Sequence, residues 1–231
     1  MENEKKLIKF IDTYKDFPDK GIEFKDVLGI IQEPKIFKEL ILSMSSSQII
    51  KNAEAIISID ARGFIFGSAI SLQASKPMIV ARKPGKLPGE IIKQNYKLEY
   101  GVNSLSIQKN ALKKYSKYAI VDDLLATGGT VKCVSNLLKS KGKKVLGLLT
   151  VVELRNLQGR SKFNFPVESS ISFWKSKILN KNYYKSYFKY SKLWISWIKN
   201  YYKLWKLQEN FFKLLNCYSG WLKKLKHHGE K

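Results

Sequence analysis

Apolar positions along the first 173 residues follow two rhythms, one of about 3.6 residues and one of unbroken or alternating short runs. The helical rhythm predicts helices near residues 3–13, 34–47, 65–75 and 129–141. The short runs predict strands near 55–59, 77–81, 118–122 and 144–153. Ala55-Ile56-Ile57-Ser58-Ile59 suits a strand covered on both faces, and Val167, Ser169, Ile171 and Phe173 alternate as an edge strand would. Strands alternating with helices predict an α/β fold, a mostly parallel twisted sheet flanked by helices.

One junction carries most of the chemistry. Tyr118-Ala119-Ile120-Val121 ends in Asp122-Asp123, and Leu124-Leu125-Ala126-Thr127-Gly128-Gly129-Thr130 leads into a segment with Val131, Val134, Leu137 and Leu138 at helical spacing. Strand, small-residue loop and helix start make a phosphate site. Glycines let N–H groups approach an anion, the helix N-terminus adds positive charge, and threonines add hydroxyls. Two carboxylates beside a phosphate would repel it unless they face sugar hydroxyls or hydrated Mg²⁺. The junction therefore points to a sugar phosphate. It is not a Walker loop, since no Gly-Lys-Ser/Thr follows the glycines.

Three further blocks stand in order with it: Asp16-Phe17-Pro18-Asp19-Lys20-Gly21-Ile22-Glu23-Phe24-Lys25-Asp26, Asp60-Ala61-Arg62-Gly63-Phe64-Ile65-Phe66-Gly67, and Arg82-Lys83-Pro84-Gly85-Lys86-Leu87-Pro88-Gly89 running on to Tyr96 and Glu99-Tyr100-Gly101. Together the four blocks resemble the type I phosphoribosyltransferases, and within them the adenine phosphoribosyltransferase family, over residues ~5–173. Val152-Glu153-Leu154 followed by Gly159-Arg160 also fits that pattern.

The resemblance implies the type I phosphoribosyltransferase fold, with a small hood from the N-terminal segment and a flexible lid at 82–104. It also implies formation of AMP and pyrophosphate from adenine and 5-phosphoribosyl 1-pyrophosphate in purine salvage. In that frame Ala126, Thr127, Gly128, Gly129 and Thr130 hold the 5′-phosphate, and Asp122 and Asp123 hold the ribose. Arg62, Arg82, Lys83 and Lys86 attend the pyrophosphate, while Ile22, Glu23 and Phe24 attend adenine. The catalytic set is Glu99, Tyr100, Arg62 and Lys86, with Glu99 as the proton carrier. Mg²⁺ arrives with the substrate rather than on protein ligands, and a homodimer is implied. Adenine specificity itself rests on the resemblance, because backbone groups can read that base.

The residues taken alone leave blander roles open. Arg62 can pair structurally with Asp60, Phe24 can be an ordinary core ring, and 82–101 can be a solvated basic hairpin. Gly and Pro make that last segment too punctuated for a helix, and its cations suit a lid that closes over pyrophosphate. A phosphoribosyltransferase for another base, or a ligand-sensing regulator of nucleic acid with this fold, are the rival functions. The complete lid, and a segment before Phe17 too short for a winged helix, argue against the regulator.

Composition changes the picture past Phe173. Residues 1–173 are expected to form the phosphoribosyltransferase domain and 174–231 an atypical basic aromatic extension with helical periodicity. All five tryptophans and both histidines lie in the extension, which has fourteen lysines against Glu209 and Glu230 and so carries +12 of the chain's +23. Leu193, Trp194, Trp197, Ile198, Tyr201 and Trp205 make an apolar stripe interspersed with lysines. A membrane-surface or partner helix, a nucleic-acid arm, and an accidental extension from a changed reading frame or lost stop codon are three accounts of it. The remaining +11 suits anionic substrates and does not require nucleic acid. Two cysteines, Cys133 and Cys217, form no metal spacing, and the charged start Met1-Glu2-Asn3-Glu4-Lys5-Lys6 precedes no apolar core. Both features lead to the expectation of a cytoplasmic protein without a signal peptide.

Overall fold

The structure is a computed structural model that describes residues 2–17, 20, 22–98 and 101–174. The C-terminal extension beyond Trp174, and the expectations attached to it, lie outside the described residues.

The chain opens with helix α1 (Glu2–Ile8), much shorter than the periodicity predicts. Phe10 and Ile11 N–H groups close the end of the helix onto Leu7 and Ile8 carbonyls. The following Asp12-Thr13-Tyr14-Lys15 then becomes strand β1 (Asp12–Lys15), pairing antiparallel with β2 (Glu23–Asp26). Pairing with β2 overrides the helical spacing of Leu7 and Ile11, and this hairpin lies in the N-terminal segment expected to form the hood. Next come α2 (Leu28–Gln32), α3 (Pro34–Ser45) and α4 (Gln48–Asn52). Pro34 sits in the first turn of α3, where its missing N–H costs nothing. The helix expected near 34–47 is α3, and Ser47 accepts the Ile49 N–H and so restarts the chain as the further short helix α4.

The main sheet begins with β3 (Ala55–Ile59), followed by α5 (Gly63–Ala74) and β4 (Met78–Ala81). An antiparallel hairpin of β5 (Ile91–Leu98) and β6 (Gly101–Gln108) stands apart as its own sheet. Then come β7 (Lys117–Leu125), α6 (Gly129–Lys139), β8 (Lys144–Leu154) and β9 (Val167–Phe173). The five-stranded order is β4-β3-β7-β8-β9, and every neighbouring pair is parallel.

Both faces of that sheet are covered, as the apolar runs predict. Ile56, Ala119, Val121 and Val151 face a core shared with α1 to α5. Ile57, Ile59, Tyr118 and Ile120 face a second core with α6 and the hairpin residues Leu105 and Ile107. Cys133 of α6 is buried in the second core, where its thiol points to the Gln94 carbonyl at 3.3 Å. Burial pushes that thiol up to about 11, so it is inert at neutral pH. The described part of the hairpin thus packs against α6 through Gln94, Leu105 and Ile107, a feature that the turn residues Gly85, Pro88 and Gly89 do not announce.

Candidate active site

Sheet topology places the site. From β3 the chain passes through α5 to β4 on one side, whereas from β7 it passes through α6 to β8 on the other. The two connections diverge and leave a crevice at the carboxyl ends of β3 and β7, where open α/β sheets bind ligands. Asp60 and Arg62 leave the end of β3, with a cis peptide joining Asp60 to Ala61. Asp122 and Asp123 lie within β7, which runs three residues further than the sequence predicts.

The acid pair is enclosed, Asp122 being 8% and Asp123 7% exposed. Asp123 donates its own N–H to Asp122 Oδ1 at 3.0 Å. Asp122 also packs against the start of α5. A Cβ on Gly63 would stand 2.8 Å from Asp122 Oδ1, so a larger residue there would have to displace the acid. Burial, then the charge of Asp123, holds the Asp122 carboxyl well above the usual carboxylate range, with Arg62 partly offsetting this. Arg62 Nε lies 2.7 Å from Asp123 Oδ2. The contact is electrostatic rather than an aligned hydrogen bond, and Asp123 Oδ2 has no hydrogen-bond donor among the described residues. An enclosed carboxylate oxygen in that state is ready to accept a hydroxyl.

Arg62 does not pair with Asp60. Arg82 takes that place, its Nε donating to Asp60 Oδ2 at 3.0 Å, because Arg82 is held to the hairpin by a two-way backbone bridge with Ser106. Lys86 is exposed, and its carbonyl meets Arg82 Nη1 at 3.5 Å. Lys83 is half-buried beside them. The expected pyrophosphate cations therefore start the hairpin beside Asp60, and Arg62 reaches across to the acid pair. Glu99 and Tyr100, between β5 and β6, lie outside the described residues.

From the hood, Phe24 reaches the site. Its ring lies 5.1 Å from the Arg62 guanidinium and meets Phe17 edge-on at 5.2 Å. Ile22 is buried, and its carbonyl accepts the Phe17 N–H. Glu23 is ion-paired with the buried Lys25, which also donates to Thr13 Oγ1 at 2.9 Å. Of the three expected adenine residues, the structure brings the side chain of Phe24 alone to Arg62.

The loop after β7 has the form its sequence predicts. Gly128 adopts φ +74° at the start of α6, and no side chain caps that helix. Backbone N–H groups at Gly129, Thr130 and Val131 are the ones a helix start leaves without intrahelical partners. An anion is their natural acceptor. Ala126, Thr127, Gly129 and Thr130 are half-buried around it.

A supporting layer beneath this loop goes beyond what the motifs reveal. Glu153, 2% exposed at the end of β8, binds Arg160 through two hydrogen bonds of 2.9 and 2.6 Å. Burial alone would push its carboxyl up, but Arg160, Ser169 and Arg155 outweigh burial and hold it below the usual range. The only sequence signal for this layer is the order Val152-Glu153-Leu154 then Gly159-Arg160.

Residues 31–200 match the phosphoribosyl transferase domain family. An adenine phosphoribosyltransferase of Prochlorococcus marinus (strain MIT 9515) is 81% identical over 173 residues, which is 75% of this chain and 100% of that one. Another, from Mycoplasmopsis pulmonis, is 47% identical over 166 residues, 71% of this chain and 96% of that one. Among solved structures, the adenine phosphoribosyltransferase of Thermoanaerobacter pseudethanolicus superimposes with a TM-score of 0.68 at 36% identity, covering 73% of this chain and 99% of that chain. The Saccharomyces cerevisiae enzyme, solved with an imino-altritol bisphosphate and adenine, gives 0.69 at 35% identity, covering 73% and 98%.

Proposed function

This chain belongs to the adenine phosphoribosyltransferase family, and from that premise we propose that its crevice joins adenine to the ribose of 5-phosphoribosyl 1-pyrophosphate. A nitrogen of adenine attacks the anomeric carbon and the bond from that carbon to pyrophosphate breaks. The bonding pair leaves with pyrophosphate, and the attacking nitrogen gives up its proton. AMP and pyrophosphate result, as purine salvage requires.

The observation that carries the site assignment is the juxtaposition of an uncapped helix start with an enclosed acid pair at the switch point. Ala126 to Thr130 take the 5′-phosphate, and Asp122 and Asp123 take the ribose hydroxyls. Arg62, Arg82, Lys83 and Lys86 take the pyrophosphate, whose four nearby cations offset its charge. Phe24 offers a face to adenine beside Arg62, with Ile22 and Glu23 completing that wall of the hood. Glu99 and Tyr100 complete the lid of residues 82–104, with Glu99 taking the proton of the base. Catalysis on this account is positioning and electrostatics, with no activated nucleophilic side chain. Mg²⁺ fits the site through hard oxygen donors: Asp122 and Asp123 suit hydroxyls or water around an ion that travels with the pyrophosphate. When bound, the ion lowers the charge on the leaving group.

On the family likeness we also propose a homodimer. Among the described residues no helix is long and apolar enough to cross a membrane. The sparse cysteine usage, two in the whole sequence, supports a cytoplasmic location. Residues 1–173 form the whole catalytic unit on this account, which the full-length match to a relative of that size supports.

The test is AMP formation from adenine, 5-phosphoribosyl 1-pyrophosphate and Mg²⁺, with hypoxanthine and guanine in parallel. Adenine alone is expected to turn over, and the chain ending at Phe173 is expected to match the full chain within about twofold, a difference of less than 0.5 kcal/mol. Turnover of hypoxanthine or guanine in preference to adenine would overturn the base assignment. A dead chain after truncation would overturn the domain boundary.

A further inference from the structure

Glu153 stands beside Leu125 of β7 in the parallel ladder, one residue before the phosphate loop begins. A carboxylate so deeply buried persists only when its oxygens are bonded. Here Arg160 Nε donates to Oε1 at 2.9 Å and Nη2 to Oε2 at 2.6 Å. Ser169 donates to Oε2 at 2.9 Å, and Arg155 Nε lies 3.1 Å from the same oxygen. A two-pronged guanidinium contact fixes orientation as well as distance. Arg160 belongs to the short turn Gly159–Lys162, whose first residue lies against the phosphate loop. A Cβ on Gly159 would stand 2.1 Å from the Ala126 carbonyl oxygen and 3.0 Å from the Gly128 nitrogen. A Cβ on Gly128 would in turn meet the Gly159 carbonyl at 2.9 Å. Backbone touches backbone there, so wherever the turn goes, the loop must follow.

We propose that Glu153 is a positioning residue that acts through Arg160 and Gly159 to hold residues 126–130 in register with the 5′-phosphate. This rests on the phosphate assignment above. Glu153 touches no substrate, and its effect is confined to ligands that carry that phosphate. Two variants separate this role from general stabilisation. Glu153→Gln keeps the side-chain shape but loses the charged fork. Arg160→Lys keeps the charge and loses the fork, while Ser169 and Arg155 still hold Glu153 Oε2.

The measurements are calorimetric affinity for ribose 5-phosphate and steady-state kinetics on the full chain. Losing a charged hydrogen bond from the turn is expected to weaken ribose 5-phosphate, and to raise the KM for 5-phosphoribosyl 1-pyrophosphate, by about tenfold in each variant. The KM for adenine is expected to stay within about twofold of wild type, since no part of the base lies on this loop. Unchanged ribose 5-phosphate affinity in either folded variant would overturn the proposal. So would a parallel rise of both KM values, which marks general damage. If Glu153→Gln does not fold, Arg160→Lys decides alone. Failure of the wild-type chain to bind ribose 5-phosphate would instead remove the phosphate assignment, and the proposal with it.

Discussion

Replacing Asp122 and Asp123 together by asparagine is expected to lower kcat/KM for AMP formation by about 10³-fold, a loss of the size seen when electrostatic groups aimed at a developing charge are removed. The amides keep the shape of the pair but no longer accept ribose hydroxyls as anions, nor balance the positive charge that builds on the sugar. The same change has an opposite effect on the unliganded fold. Burial, then the charge of Asp123, raises the Asp122 carboxyl above its ordinary value of 3.8. A group raised in the folded state stabilises the fold fully only below its ordinary value, and that contribution is lost as pH rises through the folded value. Neutral pH lies above that ordinary value, so burial of Asp122 leaves the fold less stable there than in acid, a cost that Asp122→Asn removes. The single variant is expected to melt about 2–4 °C higher than wild type, the shift that ~1 kcal/mol produces in a domain of this size. The gain shrinks as pH is lowered through the folded value, because wild-type Asp122 then becomes neutral too. Scanning fluorimetry across pH checks this, and equal or lower stability at neutral pH would contradict the buried-charge account.

Gly128→Ala is expected to be nearly as damaging to activity, by a different route. Its φ of +74° is left-handed, and its Cβ would stand 2.8 Å from Phe163 Cζ and 2.9 Å from the Gly159 carbonyl. The backbone conformation costs about 1 kcal/mol and the overpacking about 1–3 kcal/mol, so the loop shifts to escape both. A shift near 1 Å at a positioning site is expected to lower kcat/KM for 5-phosphoribosyl 1-pyrophosphate by about 10²-fold. Gly142 supplies the control. Its φ is +66°, but nothing lies within 4 Å of its Cβ position. Gly142→Ala is expected to cost about 1 kcal/mol of stability and leave kinetics unchanged. Similar kinetic losses in both variants would mean that strain, and not the contact with Gly159, governs the loop.

What could be read ahead of the structure was what is local. The continuous apolar run of β3 and the Val167-to-Phe173 alternation of β9 give their strands directly, since burial on two faces or one leaves its mark residue by residue. The loop between β7 and α6 is legible for the same reason: its glycines, threonines and helix start are consecutive. The hood strands are not legible, because β1 is fully exposed and β2 mostly half-buried, so neither carries a period. Pairings across the fold escape as well. Arg62 is 61 positions from Asp123, and which acid it meets depends on β3 and β7 being neighbours. Ordinary local logic favours Asp60, which Arg82 occupies once the hairpin bridge at Ser106 has set its direction. Glu153 reads as one more polar position at the end of a strand until Arg160, Arg155 and Ser169 gather on it.

The most direct test of the site assignment is a crystal structure of the full chain with AMP bound. The account predicts the 5′-phosphate on the loop of residues 126–130, with the Gly129 and Thr130 N–H groups donating to it, both ribose hydroxyls on Asp122 and Asp123, and the base beside Phe24. AMP bound with its phosphate away from that loop, or with the acid pair untouched, would contradict it.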